Sequence, residues 1–385
     1  MDFSFTREQD AFRQEVQEFL GRELPAENLR HYEDGWITGF SRSFSRKLGA
    51  RGWIGLTWPT RYGGQARGPI ERLVLTEALL RAGAPVAAHW IGDRQVGPSL
   101  LAHGSEEHKA FFLPRITRGE IVFCIGMSEP AAGSDAAALQ TLAIEDGDGW
   151  VIRGQKAWTS FAHQADYCYL VARSDPAAPK HKGISEFVVD MRTPGIIVRP
   201  LIDMVGEHHF NEVFFDDVRI PASGLIGQKH RGWYQIASQL DFERGGIERV
   251  LSNYPLFRDA VEHARRQGLT RDPRLRDRLA RLSVELAVGR LLVYRVAWLL
   301  SAGKVPTWET ALSKRFGTEL EQEIAEVVLS LFGITGLLMP GAPGAPLDGR
   351  PARAVLYAPA YTIQGGTGNI LRNILAIRGL GLPAD

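Results

Sequence analysis

The chain has 385 residues, 44% hydrophobic and 23% charged, and its 45 basic and 44 acidic side chains leave a formal net charge of +1. That balance excludes disordered and low-complexity classes, and it offers no excess of positive charge to hold nucleic acid or an anionic membrane surface. The length exceeds what one ordinary hydrophobic core serves, so two or three domains are expected.

The N-terminal "MDFSFTREQDAF" contains acids and lacks the unbroken apolar core of a signal peptide. From about 1 to 118 the pattern is helical, with Ile70, Leu73, Val74 and Ala78 on one face of "IERLVLTEALLRAG". From about 119 to 230 the period changes. "GWVIRGQKAW", "ADYCYLVAR", "ISEFVVDM", "GIIVRPL" and "EVFFDDVRIP" are rich in Val, Ile, Phe and Tyr and separated by Gly, Pro and Asp, as strands and turns are. From 231 to 385 helices return, with Leu275, Leu279, Leu282, Leu286 and Val293, then Ile324, Val327, Val328 and Leu331, spaced for a helix bundle. The basic stretch "ARRQGLTRDPRLRDRLARL" reads as a solvated helix face, because aspartates interrupt it and leucines recur at helical spacing. The longest apolar run, "LLVYRVAWLL", is short and broken by Arg295, so no membrane insertion is expected.

Cys124 and Cys168 are far apart in sequence and lack ligand spacing, which points to neither a disulfide framework nor a zinc site and fits a reducing cytoplasm. His208 and His209 are adjacent with no acid or cysteine cluster beside them, so they read as structural and no metal is expected. No strand runs into G-x-G-x-x-G and a helix, so a Rossmann dinucleotide site is not supported.

Four segments could carry chemistry. "SEPAAGSD" (128–135) is a loop rich in hydroxyls and free amides. "GQKAWTS" (154–160) ends a strand on Trp158, whose indole can cover a flat ring while the hydroxyls beside it bond the ring's edge. "IQGGTGNILRN" (363–373) sets a glycine turn before a helix, with Thr367 and Asn369 as caps. The fourth is "QLDFERGGIERV" (239–250). Trp233, Ile236, Leu240, Glu243, Ile247, Val250 and Tyr254 share one face of a single long helix, which puts a carboxylate on an apolar stripe just before Gly245 and Gly246.

These segments, in this order, resemble the acyl-CoA dehydrogenase family over essentially the whole chain. "GWIGLTWPTRYGG" resembles its N-terminal helical domain, "CIGMSEPAAGSD" and "GQKAWTS" its two flavin loops, "NEVFFDDVRIP" its last middle strands and "GGTGNILRNILAIRGLG" its C-terminal signature. The resemblance implies an N-terminal all-α domain, a middle β-barrel-like domain and a C-terminal four-helix bundle, with FAD as cofactor and an acyl-CoA thioester as substrate. It further implies electron-transfer flavoprotein as the electron acceptor. By position, Met127, Ser128, Trp158, Thr159, Ser160, Thr367 and Asn369 correspond to cofactor-binding residues, and Ser134, Asp241 and Arg244 to substrate-binding ones.

Most of the family carries its catalytic base immediately before the Gly-Thr pair of the C-terminal signature, where this chain has Gly365. A smaller branch, including the isovaleryl- and long-chain enzymes, carries it before an arginine on the long helix. That place is Glu243, and a buried acid of raised pKa suits proton abstraction next to a thioester carbonyl. A flavin oxidase or monooxygenase on the same scaffold, or one subunit of a heteromeric dehydrogenase, are the alternatives. Homotetrameric members complete each FAD site across subunits with Arg-x-x-Phe-Gly and Gln-x-x-Gly-Gly segments. Here those places read "RRQGLTRDP" and "SLFGITG", with Ser330 for the glutamine and Ile334 for a glycine. A homodimer or homotetramer holding FAD through other residues, such as Arg271 or Arg274, is expected, with a heteromer as the other possibility.

Overall fold

The computed structural model describes residues 4–24, 34–236 and 245–384. They form two compact units: one from the described residues of Met1–Gly39, Arg67–Pro85 and Asp241–Asp385, the other from those of Phe40–Ala66 and Val86–Leu240.

The first unit is helical. Helix Arg7–Glu23 starts at a capping box, Gln9 N–H donating to Thr6 Oγ1 and Thr6 N–H to Gln9 Oε1, and buries Phe12, Val16, Phe19 and Leu20 at helical spacing. Helix Pro69–Arg81 was expected to bury one face. It buries Leu75, Leu79 and Leu80 besides Leu73 and Val74, because helices pack on more than one side of it, among them Arg7–Glu23 and Pro273–Ser301. Two long helices, Pro273–Ser301 and Trp308–Leu331, pair with each other and bury Leu279, Leu282, Leu286, Val293, Ile324, Val327 and Val328, as their spacing predicts.

The structure departs from the sequence reading between 233 and 254. The described ends of that stretch are not one helix. Helical residues 232–236 lead to the undescribed 237–244; residues 245–247 are turn and coil, and separate helices follow at Glu248–Leu251 and Tyr254–Arg266. The physical cause is local: two successive glycines cost a helix about 1 kcal/mol each, and Pro255 has no amide to continue an earlier helix but fits the first turn of a new one. Gly245 has a packing role as well, since a Cβ there would lie 2.8 Å from Val296 Cγ1 and 3.0 Å from Thr310 Cγ2.

The second unit is built on one connected sheet of eight strands: β1 Phe123–Gly126, β2 Leu142–Asp146, β3 Gly149–Lys156, β4 Tyr167–Arg173, β5 Ile184–Asp190, β6 Ile196–Leu201, β7 Phe210–Pro221 and β8 Leu225–Ile226. Its order is β6-β7-β3-β2-β4-β5-β8, with β1 pairing parallel to β4. β7 shows how sequence sets register. Asn211, Val213 and Phe215 face inward at period two, and so do Val218 and Ile220, one residue out of step. The register shift falls opposite Ile152–Gly154, where exposed Asp216 and Asp217 form a bulge with Asp217 at φ +50°, so both halves keep their apolar side chains in the core. That core contains Trp150, Ile152, Leu170, Phe187 and both cysteines; Cys124 and Cys168 are register partners across β1 and β4 and remain free thiols.

Candidate active site

The residues singled out in the sheet unit converge on one pair of loops. Met127 and Ser128 follow β1, and Ala157 to Ser160 follow β3. Ala157 N–H donates to Ser128 O at 2.9 Å, tying the loops together. Beneath them lies an ion pair that sequence reading missed. Lys156, wholly buried at the end of β3, donates from Nζ to Glu129 Oε1 at 2.7 Å and to Met127 O at 3.1 Å. Glu129 also accepts the amides of Gln140 (2.6 Å) and Thr141 (2.9 Å), and its own backbone closes a tight bridge with Ala132. Burial alone would raise the Glu129 pKa, but Lys156 and these donors hold it below the usual carboxylate range. Burial lowers the Lys156 pKa more than its partner raises it. Both residues stood in the quoted segments; a lysine ending a strand beside a loop glutamate was the available signal.

Trp158 takes φ +59°, a left-handed conformation that a bulky side chain rarely adopts, and its indole is 61% exposed, set edge to face against Phe210 at 5.7 Å. The next residue is pinned. Thr159 N–H donates to Asn211 O, and Asn211 Nδ2 donates back to Thr159 O. Thr159 Oγ1 is buried and makes no hydrogen bond. Ser160 is half-buried, and Ser134 is exposed on the 128–135 loop. Asn211, quoted only as part of a strand, is thus the residue that fixes the second loop. It also accepts from His208 Nε2 (2.8 Å) and His163 Nδ1 (3.2 Å).

The histidine reading needs one correction. Acids do join His209: Asp203, Glu207 and His209 each place a ligand atom within 4.8 Å of the others. They meet because Asp203 Oδ1 accepts the amides of Val205 and Glu207, folding the 203–209 loop back on itself.

In the helical unit, Gly365 (φ +66°) and Gly366 (φ +100°) make the turn, and Thr367 caps helix Gly368–Ile374 by accepting from Ile370 N–H at 3.4 Å. Buried Lys314, a further residue the sequence reading missed, donates to Gly366 O at 2.7 Å and fixes that turn from helix Trp308–Leu331. Asn369 Oδ1 accepts from Arg372. Arg271 and Arg274 are exposed; Ser330 accepts from Arg278 and donates to Val327 O, and Ile334 is 81% exposed. Asp241, Glu243 and Arg244 lie outside the described residues.

Family models described as the acyl-CoA dehydrogenase N-terminal, middle and C-terminal domains match residues 6–120, 124–218 and 230–380. The acyl-CoA dehydrogenase FadE26 of Mycobacterium tuberculosis is 34% identical over 400 aligned positions, which take in 100% of this chain and 99% of that protein. The chain belongs to the acyl-CoA dehydrogenase family. Among solved structures, a protein titled Tcur3481-Tcur3483 steroid ACAD is similar at TM-score 0.92 and 34% identity, with all of both chains covered. The ChsE4-ChsE5 complex from Mycobacterium tuberculosis is similar at TM-score 0.86 and 32% identity, again over 100% of each chain.

Acyl-CoA dehydrogenases are FAD-dependent flavoproteins that oxidise an acyl thioester. The sheet unit fits such a cofactor on two observations of its own: a buried hydroxyl at Thr159 without a partner, and an exposed indole held at Trp158 in a strained backbone. An aromatic ligand with polar edges answers both. Among the described residues no helix is long and apolar enough to cross a membrane.

Proposed function

We propose that Glu243 is the base with which this acyl-CoA dehydrogenase removes the α-proton of its thioester substrate. Gly365 carries the reading. At the place where most of the family has its base, this chain has a glycine in the left-handed region at φ +66°, a conformation that a glutamate would hold only under strain. The acid then comes from another position, and Glu243 beside Arg244 is the match that this chain offers.

FAD, when bound, supplies the acceptor for the hydride that leaves the β-carbon. The residues that would hold it are Met127, Ser128, Trp158, Thr159, Ser160, Thr367 and Asn369. Glu243 takes the α-proton. Its basicity is useful only while it is ionised, so turnover should rise with pH through its pKa in the complex. Ser134, Asp241 and Arg244 hold the thioester, and donors aimed at its carbonyl oxygen stabilise the charge that develops there as the proton leaves.

The acyl group we assign to the steroid-linked class, supported by similarity along the whole chain to a protein titled steroid ACAD. Assembly with a second, homologous polypeptide replaces the homo-oligomer as our reading. Two similar structures are named for two components, Tcur3481-Tcur3483 and ChsE4-ChsE5, and the exposed Ile334 and the hydrogen-bonded Ser330 stand where homotetramers place cofactor contacts. Electron-transfer flavoprotein is the proposed acceptor, and the cytoplasm the proposed location.

The test is anaerobic bleaching of the flavin by a steroid acyl thioester and by a straight-chain one, with Glu243→Gln alongside. The variant should keep its flavin and lose roughly 10²-fold or more in turnover, the scale of a lost general base. Near-normal turnover would place the base elsewhere. Bleaching by the straight-chain thioester alone would remove the steroid assignment and leave the base intact.

A further inference from the structure

Helices Arg7–Glu23, Pro69–Arg81 and Pro273–Ser301 border a pocket of about 210 Å³ whose polar lining is Arg13, Gln17, Glu77, Arg81 and Arg290. It involves none of the residues assigned to the flavin or the thioester. Its size is below the ~300–1,000 Å³ usual for organic ligands, so it suits a small ion with some of its water.

The charges in this pocket do not balance. Among the described residues Glu77 is its one lining carboxylate, and it is shared: Arg290 donates from Nε at 2.5 Å and Nη2 at 3.1 Å, Tyr294 OH at 2.5 Å, and Arg81 Nη1 reaches it at 3.5 Å. Burial would raise the pKa of Glu77, but Arg290 and Tyr294 hold it below the usual range, so it is ionised. Arg81 spends its other amino group on Tyr254 OH. Arg13 lies over the Phe5 ring and pairs at 3.2 Å with the exposed Asp10. Counting Asp10, three guanidinium groups face two carboxylates among the described residues. Arg13 Nη2 is buried and has no acceptor. A buried charged donor without an acceptor is costly, and a guanidinium fork matches the oxygens of phosphate-like anions.

We propose that this pocket binds a small oxyanion of the phosphate class, with Arg13 as its principal donor and Arg81 and Arg290 supplying field. The anion would accept from Arg13 Nη2 and balance the excess positive charge. Inorganic phosphate and the phosphate of a small ester share that chemistry.

The experiment uses the full-length, FAD-loaded protein in a phosphate-free buffer at constant ionic strength set with chloride. Equilibrium dialysis against inorganic phosphate should show one saturable site per chain. Arg13→Gln leaves the Glu77–Arg290–Tyr294 cluster in place and should weaken phosphate about tenfold or more, the scale of one charged hydrogen bond. Arg13→Lys, which keeps the charge without the fork, should fall between. A parallel titration with glycerol phosphate separates the sources: binding of both upholds a site open to esters, and binding of phosphate alone upholds a site for the free ion. Absence of saturable binding, equal displacement by chloride, or unchanged affinity in a folded Arg13→Gln protein would overturn the proposal.

Discussion

Replacing Lys156 by methionine tests whether the buried ion pair holds the flavin loops. The stem keeps its length, while the ammonium that donates to Glu129 at 2.7 Å and to Met127 O at 3.1 Å is lost. Glu129 would stay buried with only the Gln140 and Thr141 amides. Removing one member of a buried pair costs about 3–5 kcal/mol, and the two remaining amides put this case near the lower end, about 3 kcal/mol. Urea unfolding of the FAD-loaded protein at pH 7 measures the loss. Flavin retained after gel filtration reports on the loops, and it should fall too, because Lys156 and Glu129 fix Met127 and its neighbours. Glu129→Gln combined with Lys156→Met removes both charges and should recover most of the stability.

The pH dependence has a defined sign. Glu129 titrates below its ordinary value of 4.5 in the folded protein, so its contribution is present above that value and lost as pH falls through the folded pKa. The wild type should therefore lose more stability on acidification than the double variant. Burial lowers the Lys156 pKa below its ordinary 10.5, so that cost is present below the folded pKa and is relieved as pH rises from there to 10.5. A loss below about 1 kcal/mol in Lys156→Met, with flavin fully retained, would refute the reasoning, since no buried pair of this kind is so cheap to break.

Two further outcomes follow from buried polar atoms. Glu321 is wholly buried, and burial pushes its pKa up to about 8 while Asn253 N–H donates to it at 2.6 Å. Its folded pKa exceeds the ordinary 4.5, so stability falls as pH rises between about 4.5 and 8; Glu321→Gln should flatten that slope and be the more stable protein at pH 9, by about 1–3 kcal/mol in urea unfolding. Thr159→Val deletes a buried hydroxyl that has no partner, so the flavin-free protein should be unchanged or slightly more stable, whereas FAD should bind about tenfold more weakly in a fluorescence titration.

The order of helical, strand-rich and helical regions was legible because period is a local signal: Val213 and Phe215 alternate, and Ile324 and Val328 recur at four, whatever surrounds them. What surrounds them decided the rest. Ile70, Leu73, Val74 and Ala78 mark one face of helix Pro69–Arg81, and the further burial of Leu75, Leu79 and Leu80 depends on its having more than one packing partner. Register was legible only in part. The pair Asp216–Asp217 read as polar residues within a strand, and its role as a bulge that rephases β7 depends on the partner strand.

The site follows the same division. Trp158 and Thr159 could be chosen from sequence because their chemistry is their own: an indole to cover a ring and a hydroxyl to bond its edge. Glu129, Lys156, Asn211 and Lys314 could not, because each acts on the backbone of a residue remote in sequence: Lys156 on Met127 O, Asn211 on Thr159 O, Lys314 on Gly366 O, and Glu129 on the Gln140 and Thr141 amides. The residues proposed to touch the ligand can be chosen for what they are, and those that hold them only for where the fold brings them. A carboxylate on a continuous apolar stripe was one ground for Glu243, and the break at Gly245–Gly246 removes the continuity. The second ground is chemical and survives: an enzyme of this family requires a base, Gly365 supplies no carboxylate, and the strain at φ +66° disfavours placing one there.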